Sequence, residues 1–188
     1  KELSPGALRS PHGLRVNKNV ATLVLAAPLT ASMPEKLITS ATSGSAMMAL
    51  SSFSTTADVR LMAVTKTVEA ARVNEAIGAG VRLLGENRAQ ELLSKYDDYR
   101  KDGVEIHFIG HLQTNKVRQI ADKVTMIQSL DSLPLAREIE KQCAKLGKKM
   151  DCLVEVNIGS ELTKSGVSPE ALPEFLEEVS SVGGICVR

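Results

Sequence analysis

The stretch LMAVTKT at residues 61–67 ends an apolar run on a lysine. Lysine is rarely buried without a partner, so the plain interpretation is that Lys66 lies where the chain reaches water. A second interpretation is chemical. An amine held between a strand and a helix, and partly screened from water, is more easily deprotonated and can attack an aldehyde to form a Schiff base. From the residues alone, both interpretations stay open.

Polar residues also follow the later apolar runs of the chain. Any one of them could simply cap a helix or fix a turn, but several at one rim would favour a binding site there. Lys116 and Lys164 are weaker candidates because they lie in polar loop or helix-start contexts. The residues at the run ends are Lys66, Glu86, Asn87, Arg88, His111, Ser129, Asp131 and Asn157.

Strand-like and helical patterns alternate from Arg60 onward. Helical spacing of apolar residues, usually ended by glycine, occurs in EAARVNEAIGAG, NRAQELLSKYDDYRKDG, TNKVRQIADKV, SLDSLPLAREIEKQCAKLG and SPEALPEFLEEV. In the last of these, Ser168 is the expected N-cap and Pro169 the expected first helical residue. The apolar runs that predict strands are 61–64, 81–85, 106–110, 124–130, 152–159 and 185–187.

This alternation predicts an α/β fold with a parallel sheet. An open doubly wound sheet and a (β/α)₈ barrel both satisfy it. The residues after the first strand, TKTVEAA, lack the G-x-G-x-x-G pattern of a dinucleotide-binding fold. A barrel instead places its chemistry at the carboxyl ends of the strands, where the polar residues lie.

Composition narrows the function classes. The chain has 188 residues, a net charge of +1 and 3% aromatic residues, which does not favour binding to nucleic acid or an anionic membrane. The longest apolar window, VATLVLAAPL at 20–29, is about half of the roughly 18 residues that a membrane span needs. Three cysteines without metal-type spacing, Cys143, Cys152 and Cys186, indicate reduced thiols in a cytoplasmic protein without a metal site.

Residues 1–59 differ from the remainder of the chain. They are rich in Ser, Thr and Ala and poor in acidic residues, whereas residues 60–188 have a balanced charge. We expect 1–59 to be an atypical, weakly structured leader, with a secretory signal or an organellar transit peptide as the alternatives. We expect residues 60–188 to form the N-terminal part of a barrel domain.

Five motifs in order carry a resemblance. They are LMAVTKT, LLGENRAQELLSKY, IHFIGHLQTNKVRQI, IQSLDS and LVEVNIGSELTKSGV. In this order they resemble the pyridoxal phosphate homeostasis protein family (YggS/PROSC-like), which is similar to the N-terminal barrel domain of alanine racemase. The resemblance covers roughly residues 60–188.

The resemblance implies a partial (β/α)₈ TIM barrel with about five to six of its eight strands. It implies pyridoxal 5′-phosphate held as a Schiff base on Lys66, with Asn87 beside it. Family members are regarded as non-catalytic binders of this cofactor, so no catalytic residue is predicted and the full-length protein is expected to be a monomer. The family anchors the phosphate in loops after strands seven and eight, so we expect this chain to bind the cofactor weakly.

Two other functions remain open. The chain could be a fragment of a pyridoxal-phosphate-dependent racemase or decarboxylase that has a second domain. It could also be a scaffold or fragment without a cofactor. Nucleic-acid binding is a distant alternative, because the sequence has no basic patch and few aromatic residues.

Overall fold

The computed structural model describes residues 20–24, 60–159 and 165–188. The strands are β1 Val20–Val24, β2 Arg60–Val64, β3 Leu83–Glu86, β4 Glu105–Phe108, β5 Met126–Leu130, β6 Met150–Val154 and β7 Ile185–Val187. The α-helices are α1 Ala70–Gly78, α2 Ala89–Lys95, α3 Val117–Ile120, α4 Leu133–Lys145 and α5 Leu172–Ser180. Short 3₁₀ helices at Tyr96–Asp98 and Thr114–Lys116 precede or follow α-helices.

All seven strands form one parallel sheet in sequential order. A doubly wound sheet reverses its strand order at a switch point, whereas a barrel adds each strand beside the preceding one. The sequential order therefore decides between the two alternatives. The predicted partial (β/α)₈ barrel is confirmed, and all six strands expected from Arg60 onward are present as β2 to β7.

Strand β1 is an addition to the predicted set. Val20–Val24 pairs in parallel with β2 over five residues, from Val20 opposite Arg60 to Val24 opposite Val64. In the sequence, this segment is part of the apolar window 20–29 and of the leader expected over residues 1–59. Residues 1–19 and 25–59 lie outside the described residues, so the leader and its boundary at residue 59 stay predictions.

The core lies between the sheet and its helices. Residues at alternate strand positions, such as Ala63, Leu84 and Ile127, are fully buried there. The helices contribute Leu92 and Ile139, which are also fully buried. This layer holds the carboxyl ends of the strands in place, because each helix returns the chain to the start of the next strand.

The two ends of α4 show how local chemistry sets the boundaries of a helix. Gly147, with a φ of 63°, follows the end of α4, and Lys148 N–H donates to Cys143 O at 3.1 Å. This is the glycine stop that the sequence predicts, because glycine adopts positive φ without steric cost. At the other end, Ser132 occupies the N-cap position without a capping hydrogen bond from its side chain.

The expected start of α5 is wrong by three residues, since the helix begins at Leu172 and not at Pro169. Ser168 Oγ accepts a hydrogen bond from Ala171 N–H at 3.3 Å, but this closes a turn, and the helix begins at Leu172. A helix beginning at Pro169 would place Pro173 in its interior, where its ring would clash with the carbonyl four residues earlier. Starting at Leu172 puts Pro173 in the first turn, where proline is tolerated.

Among the described residues, no helix combines the length and the apolar character needed to cross a membrane.

Core packing can be tested with two isoleucines. Ile139 on α4 is fully buried, whereas Ile158 is 83% exposed. Ile139→Ala should lower the free energy of unfolding by about 2–5 kcal/mol, because it removes buried apolar surface and leaves a cavity. The matched control, Ile158→Ala, should change it by less than about 0.5 kcal/mol in urea unfolding. Equal losses in the two variants would contradict the described core.

Candidate functional site

Lys66 lies in a tight turn directly after β2. Val68 N–H donates to Thr65 O at 3.1 Å, which closes the turn from Thr65 to Val68. Thr67 has a φ of 61°, a left-handed conformation that β-branched residues rarely adopt. Lys66 is an exposed residue of this turn. The amine is accessible, and its position is set by its backbone.

A buried carboxylate lies beneath this turn. Glu86, the last residue of β3, is fully buried, and its Oε1 accepts hydrogen bonds from Thr65 Oγ1 at 2.5 Å and from Tyr99 OH at 2.6 Å. The Lys95 ammonium is 3.2 Å from the same oxygen. A carboxylate is costly to bury unless it is paired and hydrogen-bonded, and these three groups provide that compensation. Burial, together with the hydrogen bond to Glu86, raises the pKa of Tyr99, which therefore stays a donor.

Helix α2 contacts the turn at its backbone. Lys95 Nζ donates to Thr65 O at 3.0 Å and to Val68 O at 3.3 Å. Thr67 N–H donates to Glu91 Oε1, and Glu91 also pairs with Lys95 at 3.1 Å. Burial alone would raise the pKa of Glu91, but the Thr67 amide and the Lys95 ammonium outweigh it and the pKa is lowered. The turn is thus held from one helix by a charged pair.

Asn87 directly follows β3, the strand beside β2. Val64 is opposite Gly85 in the β2–β3 register, and Lys66 and Asn87 each lie two residues beyond that pair. The residues before them, Thr65 and Glu86, are hydrogen-bonded to each other. The two predicted site residues therefore lie at the carboxyl ends of neighbouring strands, as the sequence analysis expects, while the cofactor contact proposed for them stays a prediction.

Gly110 shapes the surroundings of Asn87. A Cβ added at Gly110 would lie 2.1 Å from Asn87 O and 2.5 Å from Asn87 Oδ1. Only glycine permits this close approach between the loops that follow β3 and β4. The position of Asn87 therefore depends on a residue without a side chain.

A cleft of about 230 Å³ lies at the carboxyl ends of β3 and β4. Lys66 is not among the residues that line it. Polar lining residues come from the loop after β3, from the first turn of α2 and from the segment after β4. They are Asn87, Arg88, Gln90, His111, Gln113 and Lys116.

His111 lines this cleft with Asn87 and Arg88, whereas Ser129 and Asp131 are not among the lining residues. His111 Nδ1 is 3.3 Å from Asp131 Oδ2, which links the loops after β4 and β5. Ser129 is buried with no hydrogen-bond partner for its hydroxyl among the described residues. Lys164 lies outside the described residues. Within the described ranges, no three His, Cys, Asp or Glu side chains are grouped as a metal site would need.

Sequence reasoning missed the residues that hold the turn. Tyr99, Glu91 and Lys95 have no assigned role in the sequence-based prediction. For Glu91 and Lys95, one available signal was their spacing, because a glutamate four residues before a lysine on a helix indicates an ion pair. Their contacts with Thr65, Thr67 and Val68 come from residues more than 20 positions away and leave no local pattern.

Comparison with known proteins identifies relatives. The family of the alanine racemase N-terminal domain matches residues 47–188. The pyridoxal phosphate homeostasis protein of Aquifex aeolicus is 46% identical over 118 residues, which cover 63% of this chain and 52% of that protein. The homologue of the same name from Pseudomonas aeruginosa is 38% identical over 132 residues, covering 70% and 57%. The chain spans about half the length of these curated relatives.

Solved structures agree with this comparison. PipY of Synechococcus elongatus, solved with pyridoxal phosphate bound, has a TM-score of 0.66 and 30% identity, covering 76% of this chain and 66% of its own. Alanine racemase of Clostridium difficile has a TM-score of 0.56 at 17% identity, covering 71% and 35%, and shows the fold alone. The resemblance drawn from the five motifs is confirmed.

The close packing at Gly110 gives a first test of the site. Gly110→Ala should lower the free energy of unfolding by about 1–3 kcal/mol and displace Asn87, because the new methyl group overlaps the Asn87 backbone. Gly78→Ala is the matched control, since an added Cβ there meets no atom within 4 Å. Urea unfolding and the NMR shift of the Asn87 amide would measure both effects. An unchanged Asn87 shift in Gly110→Ala would contradict the packing.

Glu91 gives a pH-dependent test. Because its pKa is lower in the folded state, its stabilisation is present above the ordinary glutamate pKa of about 4.3 and is lost as pH falls through the folded value. At pH 7 the free energy of unfolding of the parent should be roughly 1 kcal/mol higher than that of Glu91→Gln. This difference should shrink as the pH falls from about 5 to about 3. Urea unfolding across this range measures it.

The matched control for this titration is Glu177→Gln, on an exposed position of α5. It should leave the free energy of unfolding within about 0.5 kcal/mol of the parent at pH 7. If the difference in the free energy of unfolding between the parent and Glu91→Gln grows as the pH falls, the expected dependence of stability on the protonation of Glu91 is wrong.

Proposed function

Because the chain belongs to the alanine racemase N-terminal domain family, we propose that it binds pyridoxal 5′-phosphate through Lys66 and takes part in the homeostasis of this cofactor. The observation that carries the proposal is the placement of Lys66. It is an exposed amine in a fixed turn at the carboxyl end of a strand, the edge at which barrels of this kind place their chemistry. The names of the relatives from Aquifex aeolicus and Pseudomonas aeruginosa support the same ligand.

The residues present fit an aldehyde-bearing ligand. Bound pyridoxal phosphate supplies an aldehyde, which condenses with a neutral primary amine to a Schiff base and releases its oxygen as water. Lys66 Nζ would provide the amine, since its side chain is exposed. Asn87, which directly follows the neighbouring strand β3, would offer an amide as donor or acceptor to the bound molecule.

We propose a binder and not an enzyme. The likenesses to alanine racemase and to diaminopimelate decarboxylase of Helicobacter pylori are at 17% and 14% identity, so they concern the fold alone. No described contact specifically favours racemisation or decarboxylation. The ligands are accordingly the cofactor and related vitamin B6 vitamers, with no role in nucleic-acid or membrane binding.

The proposal extends to the state of the protein. The net charge of +1 supports neither a nucleic-acid nor a membrane partner. The three cysteines are free thiols, two of them buried, which supports a reducing compartment such as the cytoplasm. We propose that the full-length protein is a monomer there.

Lys66 itself is the decisive test. After addition of pyridoxal 5′-phosphate, the parent should develop the visible absorbance of a Schiff base, and borohydride reduction should fix the adduct on the peptide that contains Lys66. Lys66→Ala should reduce the trapped adduct at least about tenfold, an effect above roughly 1.4 kcal/mol in binding free energy. Absorbance titration and peptide mapping by mass spectrometry measure both.

Lys141→Ala is the matched control, because Lys141 is an exposed lysine on α4 with 65% of its side chain accessible. It should bind like the parent. If Lys66→Ala forms as much adduct as the parent, the assignment of Lys66 is wrong.

A further inference from the structure

Lys95 makes an unusual set of contacts for a lysine at a helix end. Its ammonium is within 3.3 Å of four oxygens, of which two are carboxylate oxygens of Glu86 and Glu91. The other two are the carbonyl oxygens of Thr65 and Val68, which lie 30 and 27 residues away in sequence. Its side chain is only 12% exposed. An ammonium has three hydrogens to donate, so this group is fully engaged.

The two carbonyls are the first and last of the four-residue turn that carries Lys66. Between them, Thr67 N–H donates to Glu91, the partner of Lys95 on α2. Thr67 has positive φ, a conformation that persists only where surrounding contacts enforce it. The pair of Glu91 and Lys95 therefore fixes the backbone on both sides of Lys66 while leaving the Lys66 side chain exposed.

Glu86 explains why the ammonium stays where it is. The carboxylate is fully buried, and one of its oxygens, Oε2, has no hydrogen-bond partner among the described residues. The partners that compensate its burial therefore all contact Oε1, and they are Thr65, Tyr99 and Lys95. Moving Lys95 away would leave this buried charge without its cation, so the ammonium is restrained to the turn.

We propose that Lys95 is a positioning residue for Lys66, fixing the turn so that the amine meets an aldehyde in one orientation. The inference rests on the proposed function, because it assigns Lys95 a role in the reaction of Lys66. Lys95 does not contact the ligand in this proposal. It acts through the carbonyls of Thr65 and Val68. Loss of the correct orientation of a reacting group can lower the reaction rate more than tenfold.

The test uses Lys95→Met, which keeps most of the apolar stem and removes the charge. Its matched control is Lys101→Met: Lys101 is also part-buried, and its Nζ donates to a backbone carbonyl, Tyr96 O, at 2.8 Å, away from the turn. Two readouts are measured on each protein. The first is hydrogen exchange of the Thr67 and Val68 amides by NMR, without ligand. The second is the rate at which pyridoxal 5′-phosphate and borohydride label the Lys66 peptide.

We expect Lys95→Met to speed exchange at Thr67 and Val68 and to slow labelling of Lys66 by about tenfold or more. Lys101→Met should leave both unchanged. Lys95→Met also removes the cation that pairs with the buried Glu86. We therefore use Glu91→Ala as a second variant, because it removes the acceptor of Thr67 N–H but retains the pair of Lys95 and Glu86. It should raise exchange at Thr67 and slow labelling by a smaller factor.

Two results would overturn the proposal. In one, Lys66 is labelled as fast in both α2 variants as in Lys101→Met, which would mean that the contacts of Glu91 and Lys95 with the turn have a purely structural role. In the other, Thr67 and Val68 exchange equally in Lys95→Met and Lys101→Met, which would mean that Lys95 does not hold the turn. If the parent itself is not labelled at Lys66, the proposed function fails, and the role of Lys95 in that reaction fails with it. The exchange of the Thr67 and Val68 amides would then still show whether Lys95 holds the turn.

Discussion

The burial of one carboxylate organises the described site. Glu86 ends β3 inside the layer between the sheet and the helices, where an unpaired charge would cost several kcal/mol. Its compensation comes from Thr65 after β2, from Tyr99 and from Lys95 at the end of α2. Four separate segments are thereby joined at one oxygen atom. The turn that carries Lys66 inherits its position from this arrangement, because Thr65 is both a partner of Glu86 and the first residue of that turn.

Strand geometry lets the same segments serve packing and chemistry. Successive side chains on a strand point to opposite faces, so a residue directed toward the helices is followed by one directed away from them. Thr65 and Glu86 lie on the helix side, where they bond to each other, and Lys66 and Asn87 are the next residues along the chain. A shift of the β2–β3 register by one residue would move the side chains of one strand to the opposite face, so that Thr65 and Glu86 would no longer meet on the helix side. The hydrogen bond between Thr65 and Glu86 therefore also fixes which residues are presented at the rim.

Much of this architecture is legible in the sequence, since it depends on local periodicity. Apolar runs and helical spacing locate the six strands from β2 onward and the helices between them, and the end of β2 identifies Lys66. Two features depend on contacts between separate segments and could not be found this way. The compensation of Glu86 requires Tyr99 and Lys95, and β1 requires a partner strand about 40 residues later. The start of α5 differs from these, because Pro173 is a local signal that favours a start at Leu172 over one at Pro169.

Strand β1 changes the position of the lysine in the sheet. With β1 on one side and β3 on the other, β2 has a parallel partner along both edges and is not an edge strand. An edge strand exposes unpaired N–H and C=O groups and is prone to local opening and to pairing with other chains. Two partners restrain the backbone up to Val64, and the contacts from α2 take over at Thr65. The restraint on the backbone of Lys66 is therefore continuous along the chain, from a paired strand into a turn held by α2, while the residue itself stays exposed.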